Sequence, residues 1–499
     1  MTPPPDGVSG DGVVVVIGAG PAGLTAAYLL SQRGRPVTVL EADPDAVGGI
    51  ARTIAHQGYR FDIGPHRFFS KSARVEALWD ELLPHDMLRI ARRTRIHYRG
   101  RFFSYPIKAG EALVRLGAWP SAQAALSYVW ARCFPVRQPR NFADWVSNQF
   151  GPRLFEIFFR TYTEKVWGMD CRDISVDWAA QRIKGLSLGT AVWNAVRPRR
   201  RGRRPVIKSL IESFRYPRRG AGMMWEAAAQ RTRAQGGDVR LGCRVVGLAF
   251  DAATRRWRTT YVAPDGSTHR LASTHVICSA AMRDLATLLS PPLQSRQHAE
   301  ALRYRDLLTV VLFVRERQRF DDNWIYIHDP EVRVARIQNF RAWSPDLVPD
   351  PAKNAYGLEY FCFAGDGVWQ RSDTALIGLA TRELLQLSLA EAGDVTGGYV
   401  IRQPRAYPVY DADYRLHVGA VRDELAARYP GLHLVGRNGM HKYNNQDHAM
   451  MTAMLTVDAI LGDGPPRDPW RVNEDAEYLE EDAGEGAGGL RQVPQPATG

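Results

Sequence analysis

The stretch Val13–Leu30, VVVVIGAGPAGLTAAYLL, decides how this chain is read. Five branched apolar residues in succession predict a buried strand, and Pro21 to Gln32 predicts a helix. Between them Gly18, Gly20 and Gly23 form G-x-G-x-x-G, and Glu41 closes a second strand eighteen residues beyond Gly23. The first glycine permits a tight turn, the second lets a pyrophosphate approach the backbone, and the third lets helix pack on strand. The helix N-terminus favours phosphate charge, and the carboxylate accepts hydrogen bonds from ribose hydroxyls. Strand, turn, helix and acid together predict a dinucleotide-binding βαβ unit.

The 499 residues around this unit exceed what one core organises, so two or more lobes are expected. A content of 45% hydrophobic and 24% charged residues excludes a disordered, collagenous or coiled-coil chain. No run approaches the roughly 18 apolar residues of a spanning helix. Met1–Asp11 lacks the basic start and apolar centre of a signal peptide, so a cytoplasmic location is expected. Cys133, Cys171, Cys243, Cys278 and Cys362 are scattered, without a CxxC pair or a Cys/His cluster. They read as reduced packing residues, and no metal site is expected.

Lys and Arg exceed Asp and Glu by twelve, which predicts a basic surface attractive to anions. The excess is sharpest over residues 195–219, where nine Arg and one Lys face a single Glu. That run reads as a solvated loop, as a contact for a phosphate-bearing substrate, or as a peripheral membrane contact through Arg197–Arg219. Aromatics there are too few for a single-strand platform, so no specific nucleic-acid partner is expected.

Along the chain, helical patterns run from about Ala73 to Leu210, and a helix follows Gly222. Strand alternation then appears in RVVGLAF (244–250), RWRTTYV (256–262) and His275–Ser279, with further strands in LTVVLFV (308–314), WIYIH (324–328) and GLEYFCFA (357–364). A strand at His433–Val435, a polar loop and a helix from about Asp447 to Leu461 complete the ordered part.

Gly48 and Gly49 follow Glu41, and Gly64-Pro65-His66 lies beyond them; a simple nicotinamide site does not call for this second glycine pair. The stretch resembles the FAD-binding opening of the amine-oxidase, protoporphyrinogen-oxidase and UDP-galactopyranose mutase superfamily, which implies noncovalent FAD. Further blocks resemble the mutase branch, in the same order. They are GPHRFF (64–69), GRFFSYP (100–106), NFADWVSNQFGPRLFEIFFRTYTEKVWGMD (141–170), LRYRDL (302–307), AYPVYDADY (406–414) and LVGRNGMHKYNNQDHAM (434–450).

This resemblance implies an α/β chain, α+β overall. A Rossmann-type FAD-binding domain would comprise 11–85, 215–290 and 400–465, with a helical insertion at 86–214 and a β-rich substrate-binding domain at 291–399. Residues 1–10 and 466–499 would be a flexible leader and a flexible acidic, Gly-rich tail. Cofactor contacts would come from Gly18, Gly20, Gly23, Glu41, Gly48, Gly49 and Arg437. His66 would lie by the flavin and Trp167 in the sugar pocket, Arg305 would bind diphosphate, and Tyr407, Tyr410 and Tyr443 would face the substrate. The implied chemistry is a redox-neutral change of sugar ring size through a reduced-flavin N5 adduct on a sugar nucleotide. Net oxidation of a C–N, C–O or C–C bond, as in the oxidase branches, is the alternative.

Two blocks depart from the mutase pattern. Arg182 is followed by Ile183-Lys184-Gly185-Leu186 where the family has a further Arg, and the final signature reads Lys442-Tyr443-Asn444-Asn445-Gln446-Asp447-His448. Asn445 and Asp447 in that polar approach to the last helix are expected to carry the divergent chemistry. No second glycine fingerprint joins a strand to a helix, so any reduction would use a transiently bound donor, such as NAD(P)H, or the substrate itself.

Overall fold

The computed structural model describes residues 12–105, 107, 109–176, 212–317, 320–465 and 467–473. Most of the Arg-rich run and Arg182 to Leu186 lie outside these residues, as do the leader to Asp11 and the tail from Glu474.

The opening stretch folds as its pattern predicts. Strand Val14–Ile17 is buried throughout, and helix Pro21–Gln32 begins at the expected proline. The strand pairs in parallel with Val37–Leu40 on one side and His275–Cys278 on the other. Leu432–Leu434 and Asp238–Arg240 complete the five-stranded parallel sheet at its two edges. A sheet covered on both faces needs apolar residues at consecutive positions, which explains the unbroken valines. Helix Pro21–Gln32, helix Gly222–Ala234 and the closing helix Gln446–Leu461 pack together against one face.

A seven-stranded sheet forms the second layer. Its order is Val395–Pro408, Tyr304–Arg315, Lys353–Cys362, Arg336–Asn339, Trp324–Ile327, Thr94–Tyr98 and Arg101–Ser104. The strands expected in LTVVLFV, WIYIH and GLEYFCFA all belong to it. The stretch expected to open the helical insertion instead contributes strands. Met87–Ala91 pairs with Ser213–Pro217, and Thr94–Tyr98 pairs in parallel with Trp324–Ile327. Their four- and five-residue alternations are too short to stand out beside the long helical patterns that follow.

Helices Ala109–Leu116, Ala118–Cys133, Phe142–Phe150 and Thr161–Trp167 build the insertion. Their inner faces share a core with Phe103 and Ile96 of the sheet. The turn at Glu156–Arg160 is wound as π-helix immediately before Thr161–Trp167. Of the five cysteines, which form no disulfide, four are buried and Cys133 is exposed. Among the described residues no helix is long and apolar enough to cross a membrane, and no side-chain cluster could hold a metal ion.

Candidate active site

The glycine turn is built for a close neighbour. Glu41 Oε2 accepts from the Ala19 N–H at 2.6 Å, and its other oxygen accepts from the Asp43 N–H at 2.8 Å, which fixes the carboxylate at the mouth of the turn. A methyl on Gly23 would lie 1.9 Å from the Gly18 carbonyl oxygen, so this position packs helix on strand and admits no side chain. A methyl on Gly20 would meet no protein atom within 4 Å. Gly20 therefore borders open space at the N-terminus of helix Pro21–Gln32, where no side chain caps the free N–H groups. The Gly48 N–H donates to the Ala19 carbonyl at 2.8 Å, and Gly49 faces Gly20. This bare, positively polarised cradle fits a dinucleotide pyrophosphate.

Beyond the second glycine pair, a hairpin of Thr53–His56 and Tyr59–Asp62 leads into the loop that carries His66. Both carbonyls near His66 Nε2, Ile63 at 2.7 Å and Ile50 at 2.9 Å, are acceptors, so Nε2 carries the proton and Nδ1 is left as an acceptor. Desolvation, with the Arg437 and Arg336 charges, lowers the imidazole to about 4, so His66 is neutral near pH 7.

Arg437 packs against two tyrosines of an aromatic cluster. Its guanidinium lies 5.1 Å from the ring centres of both Tyr407 and Tyr443, which stack on each other at 5.6 Å. Its Nε donates to the Asn444 carbonyl at 2.8 Å and another donor reaches the Ala406 carbonyl at 3.1 Å. Phe361 meets Tyr407 at 5.5 Å, and Trp167, 2% exposed, meets Tyr443 at 6.5 Å. Tyr162 extends the wall to Tyr326 at 5.2 Å and stacks on His328 at 5.0 Å.

The structure thus brings together His66, Trp167, Tyr407, Tyr443 and Arg437. Tyr410 stands one step behind, its hydroxyl accepting from the Tyr443 N–H at 2.7 Å while its ring stacks on Tyr414. Asn445 occupies the N-cap position of the closing helix, and its N–H donates to His448 Nδ1 at 3.1 Å. Asp447 is buried in the first turn of that helix, where desolvation raises its carboxyl to about 7 against a hydrogen bond from Ser70.

Arg305 is the cross-strand partner of Tyr407, beside the aromatic cluster. Its guanidinium donates to the carbonyls of Phe361 at 2.7 Å, Val166 at 3.1 Å and Lys165 at 3.4 Å, and packs 4.2 Å from the Phe363 ring centre. It clamps the C-terminus of helix Thr161–Trp167 onto the sheet. Gly168 makes the clamp possible: its φ of 63° ends the helix, and a methyl there would lie 2.4 Å from the guanidinium carbon. Glu164 and Lys165, adjacent at this helix end, turn to different partners. Glu164 pairs with Arg160, whereas Lys165 donates to the carbonyls of Asp329 and Val334 and is lowered to about 8 by desolvation.

Sequence reasoning missed Arg336 and Glu359. Arg336 is paired with Glu359 inside the seven-stranded sheet, and Gln338 Nε2 donates to the second carboxylate oxygen at 2.7 Å. The available signal was a lone acid within the apolar strand GLEYFCFA, since a buried charge demands a partner. Of the Arg197–Arg219 run, the described Arg215 and Arg218 pair with acids, Arg215 with Glu76 and Asp80, and Arg218 with Asp86 and Asp346.

Residues 21–461 match the family described as flavin containing amine oxidoreductase. An L-amino-acid oxidase of Crotalus adamanteus is 48% identical over 58 residues, 12% of this chain and 11% of that protein. Protoporphyrinogen oxidase 2, chloroplastic/mitochondrial, of Arabidopsis thaliana is 44% identical over 69 residues, 14% of this chain and 13% of its own. The matched stretch is therefore a small part of these curated relatives. A solved structure of reduced UDP-galactopyranose mutase covers 92% of this chain and 98% of its own, with a TM-score of 0.79 and 22% identity. At that identity the likeness is one of fold.

Proposed function

Since this chain belongs to the flavin containing amine oxidoreductase family, we propose that it is an FAD-dependent enzyme acting on a phosphate-bearing or glycosylated small molecule in the aromatic cleft at Tyr407 and Tyr443. The observation that carries this reading is the convergence at Gly64. A methyl placed there would lie 3.9 Å from the Tyr407 hydroxyl and 4.0 Å from an Arg336 nitrogen, and His66 is two residues further on. A phenol and a guanidinium thus approach the backbone of the loop that carries the neutral His66 imidazole.

When bound, the flavin supplies hydride transfer or, once reduced, a nucleophilic ring nitrogen. In this reading Gly20 and the helix N-terminus receive the pyrophosphate at a turn that Gly18 permits and Gly23 closes against the strand, Glu41 holds the ribose, and Gly48 and Gly49 bring backbone alongside. Arg437 presents its charge toward the flavin end. His66 offers Nδ1 as a hydrogen-bond acceptor. Tyr407, Tyr443 and Trp167 exclude water and hold the substrate by ring contact, with Tyr410 fixing the Tyr443 backbone. Asn445 and Asp447 set the entry of the closing helix. The domain division belongs to the same reading, with Thr94–Ser104 joined to the substrate sheet. The leading reaction is a redox-neutral change of sugar ring size, with NAD(P)H as transient reductant.

A second reading, net oxidation of a C–N, C–O or C–C bond, is favoured by Arg305, whose Nε and Nη2 donate to three carbonyls. Anaerobic assays of the FAD-loaded enzyme with sugar nucleotides separate the two. Turnover only after prereduction, without electron consumption, supports rearrangement. Stoichiometric acceptor reduction supports oxidation, and a folded preparation that takes up no FAD defeats both.

A further inference from the structure

Ten large apolar side chains are exposed among the described residues, and eight of them lie between Tyr105 and Val136. They are concentrated on helix Ala118–Cys133 and its flanks. Trp119 is 73% exposed, Leu126 72%, Trp130 57% and Phe134 67%. Trp119, Leu126 and Trp130 are spaced by seven and four residues, which places them on one stripe of the helix. The buried residues of the same helix are Ala124 and Ala131, roughly 130° round the axis. The usual amphipathic pattern is inverted: small residues face the protein and large apolar ones face outward. Such a patch marks a surface that is covered in use.

We propose that this face docks on an anionic lipid surface, with Trp119, Leu126, Trp130 and Phe134 entering the interface. The charge around it selects that occupant. Between residues 109 and 140 the charged side chains are Arg115, Arg132, Arg137 and Arg140 against Glu111 alone. Glu111 is itself engaged by Arg115 at 3.0 Å and by Ser104 at 2.5 Å, while Arg132 and Arg137 are exposed. A second copy on a two-fold axis would bring this basic rim against itself, whereas an anionic bilayer complements it. Indole rings are suited to such an interface, with an apolar body and one polar N–H. The patch also adjoins the cleft: Tyr105 meets Tyr326 at 4.8 Å, and Tyr326 meets Tyr162.

The test is flotation of the FAD-loaded protein with phosphatidylglycerol vesicles and with phosphatidylcholine vesicles. Binding to the first and little to the second is expected, weakening as NaCl rises from about 0.1 to about 0.5 M. The variant Trp119→Ser/Leu126→Ser/Trp130→Ser should lose at least about tenfold of the bound fraction and keep its flavin absorbance; Arg132→Glu/Arg137→Glu should weaken binding to phosphatidylglycerol alone. Protein that stays unbound at low salt overturns the proposal, as does a triple variant that binds like the parent. Light scattering that shows a dimer converted to monomer by the triple substitution also overturns it, because a second copy then covers the face.

Discussion

Arg336 and Glu359 are cross-strand partners on adjacent strands of the seven-stranded sheet, with both side chains buried and joined by hydrogen bonds. Burial opposes the Arg336 charge, but Glu359 beside it outweighs burial and holds the guanidinium firmly protonated. Removing one partner strands a charge in the core. Glu359→Leu should cost about 3–5 kcal/mol in urea denaturation. The double variant Arg336→Met/Glu359→Leu should recover most of that loss, and equal losses in single and double variants would show that the two are not coupled.

The two glycines of the turn should separate folding from cofactor loading. Gly23→Ala places a methyl against the Gly18 carbonyl, so the fold should suffer, read as lost helix signal and early melting. Gly20→Val has room in the protein and should fold, yet carry little flavin, read from absorbance near the visible flavin band after gentle purification.

His66→Ala should leave flavin loading intact and lower kcat by about tenfold or more. Because the imidazole is neutral down to about pH 4, no activity limb near pH 6.5 should trace to it. A parent limb at pH 6.5 that vanishes in His66→Ala would contradict this.

Buried histidines and carboxylates should pull stability in opposite directions with pH. His66, His433 and His441 are lowered to about 4, chiefly by desolvation, so the unfolded chain takes up protons first as pH falls. Their contribution is present above about pH 6.5 and is lost as pH drops toward 4. Asp62 and Asp447 are raised by burial to about 6 and about 7, so they penalise the folded state as pH rises from about 4 through those values. In urea denaturation between about pH 4 and pH 7, His441→Gln should gain stability over the parent increasingly toward pH 4 and Asp447→Asn increasingly toward pH 7, each by up to about 1.4 kcal/mol per pH unit.

Arg305→Met should lower stability by about 2–4 kcal/mol, since three carbonyls at a helix end lose their donor. If Arg305 is a clamp, KM for different substrates should shift together. A selective rise in KM for phosphate-bearing substrates would instead place it in the binding site.

The glycine-turn half of the candidate site was legible because its constraints are local. Strand, turn, helix and Glu41 occupy fewer than thirty residues, and each position is dictated by backbone space or by one nearby charge. The opening helix begins and ends where its proline and apolar pattern place it. The substrate wall was less legible. Tyr407 and Tyr443 could be named, but their stacking, and the guanidinium of Arg437 against both, follow from how the long strand Val395–Pro408 meets the last loop.

What the sequence determined by itself is the glycine turn and the strands and helix that flank it, because local sterics and periodicity act before any distant contact forms. Only tertiary structure decided that Arg305 clamps a helix end, that Arg336 faces Glu359, and that the indoles of helix Ala118–Cys133 point outward. Those outcomes depend on strand register and helix rotation, which are fixed by the whole core packing at once and leave no mark in any short stretch of residues.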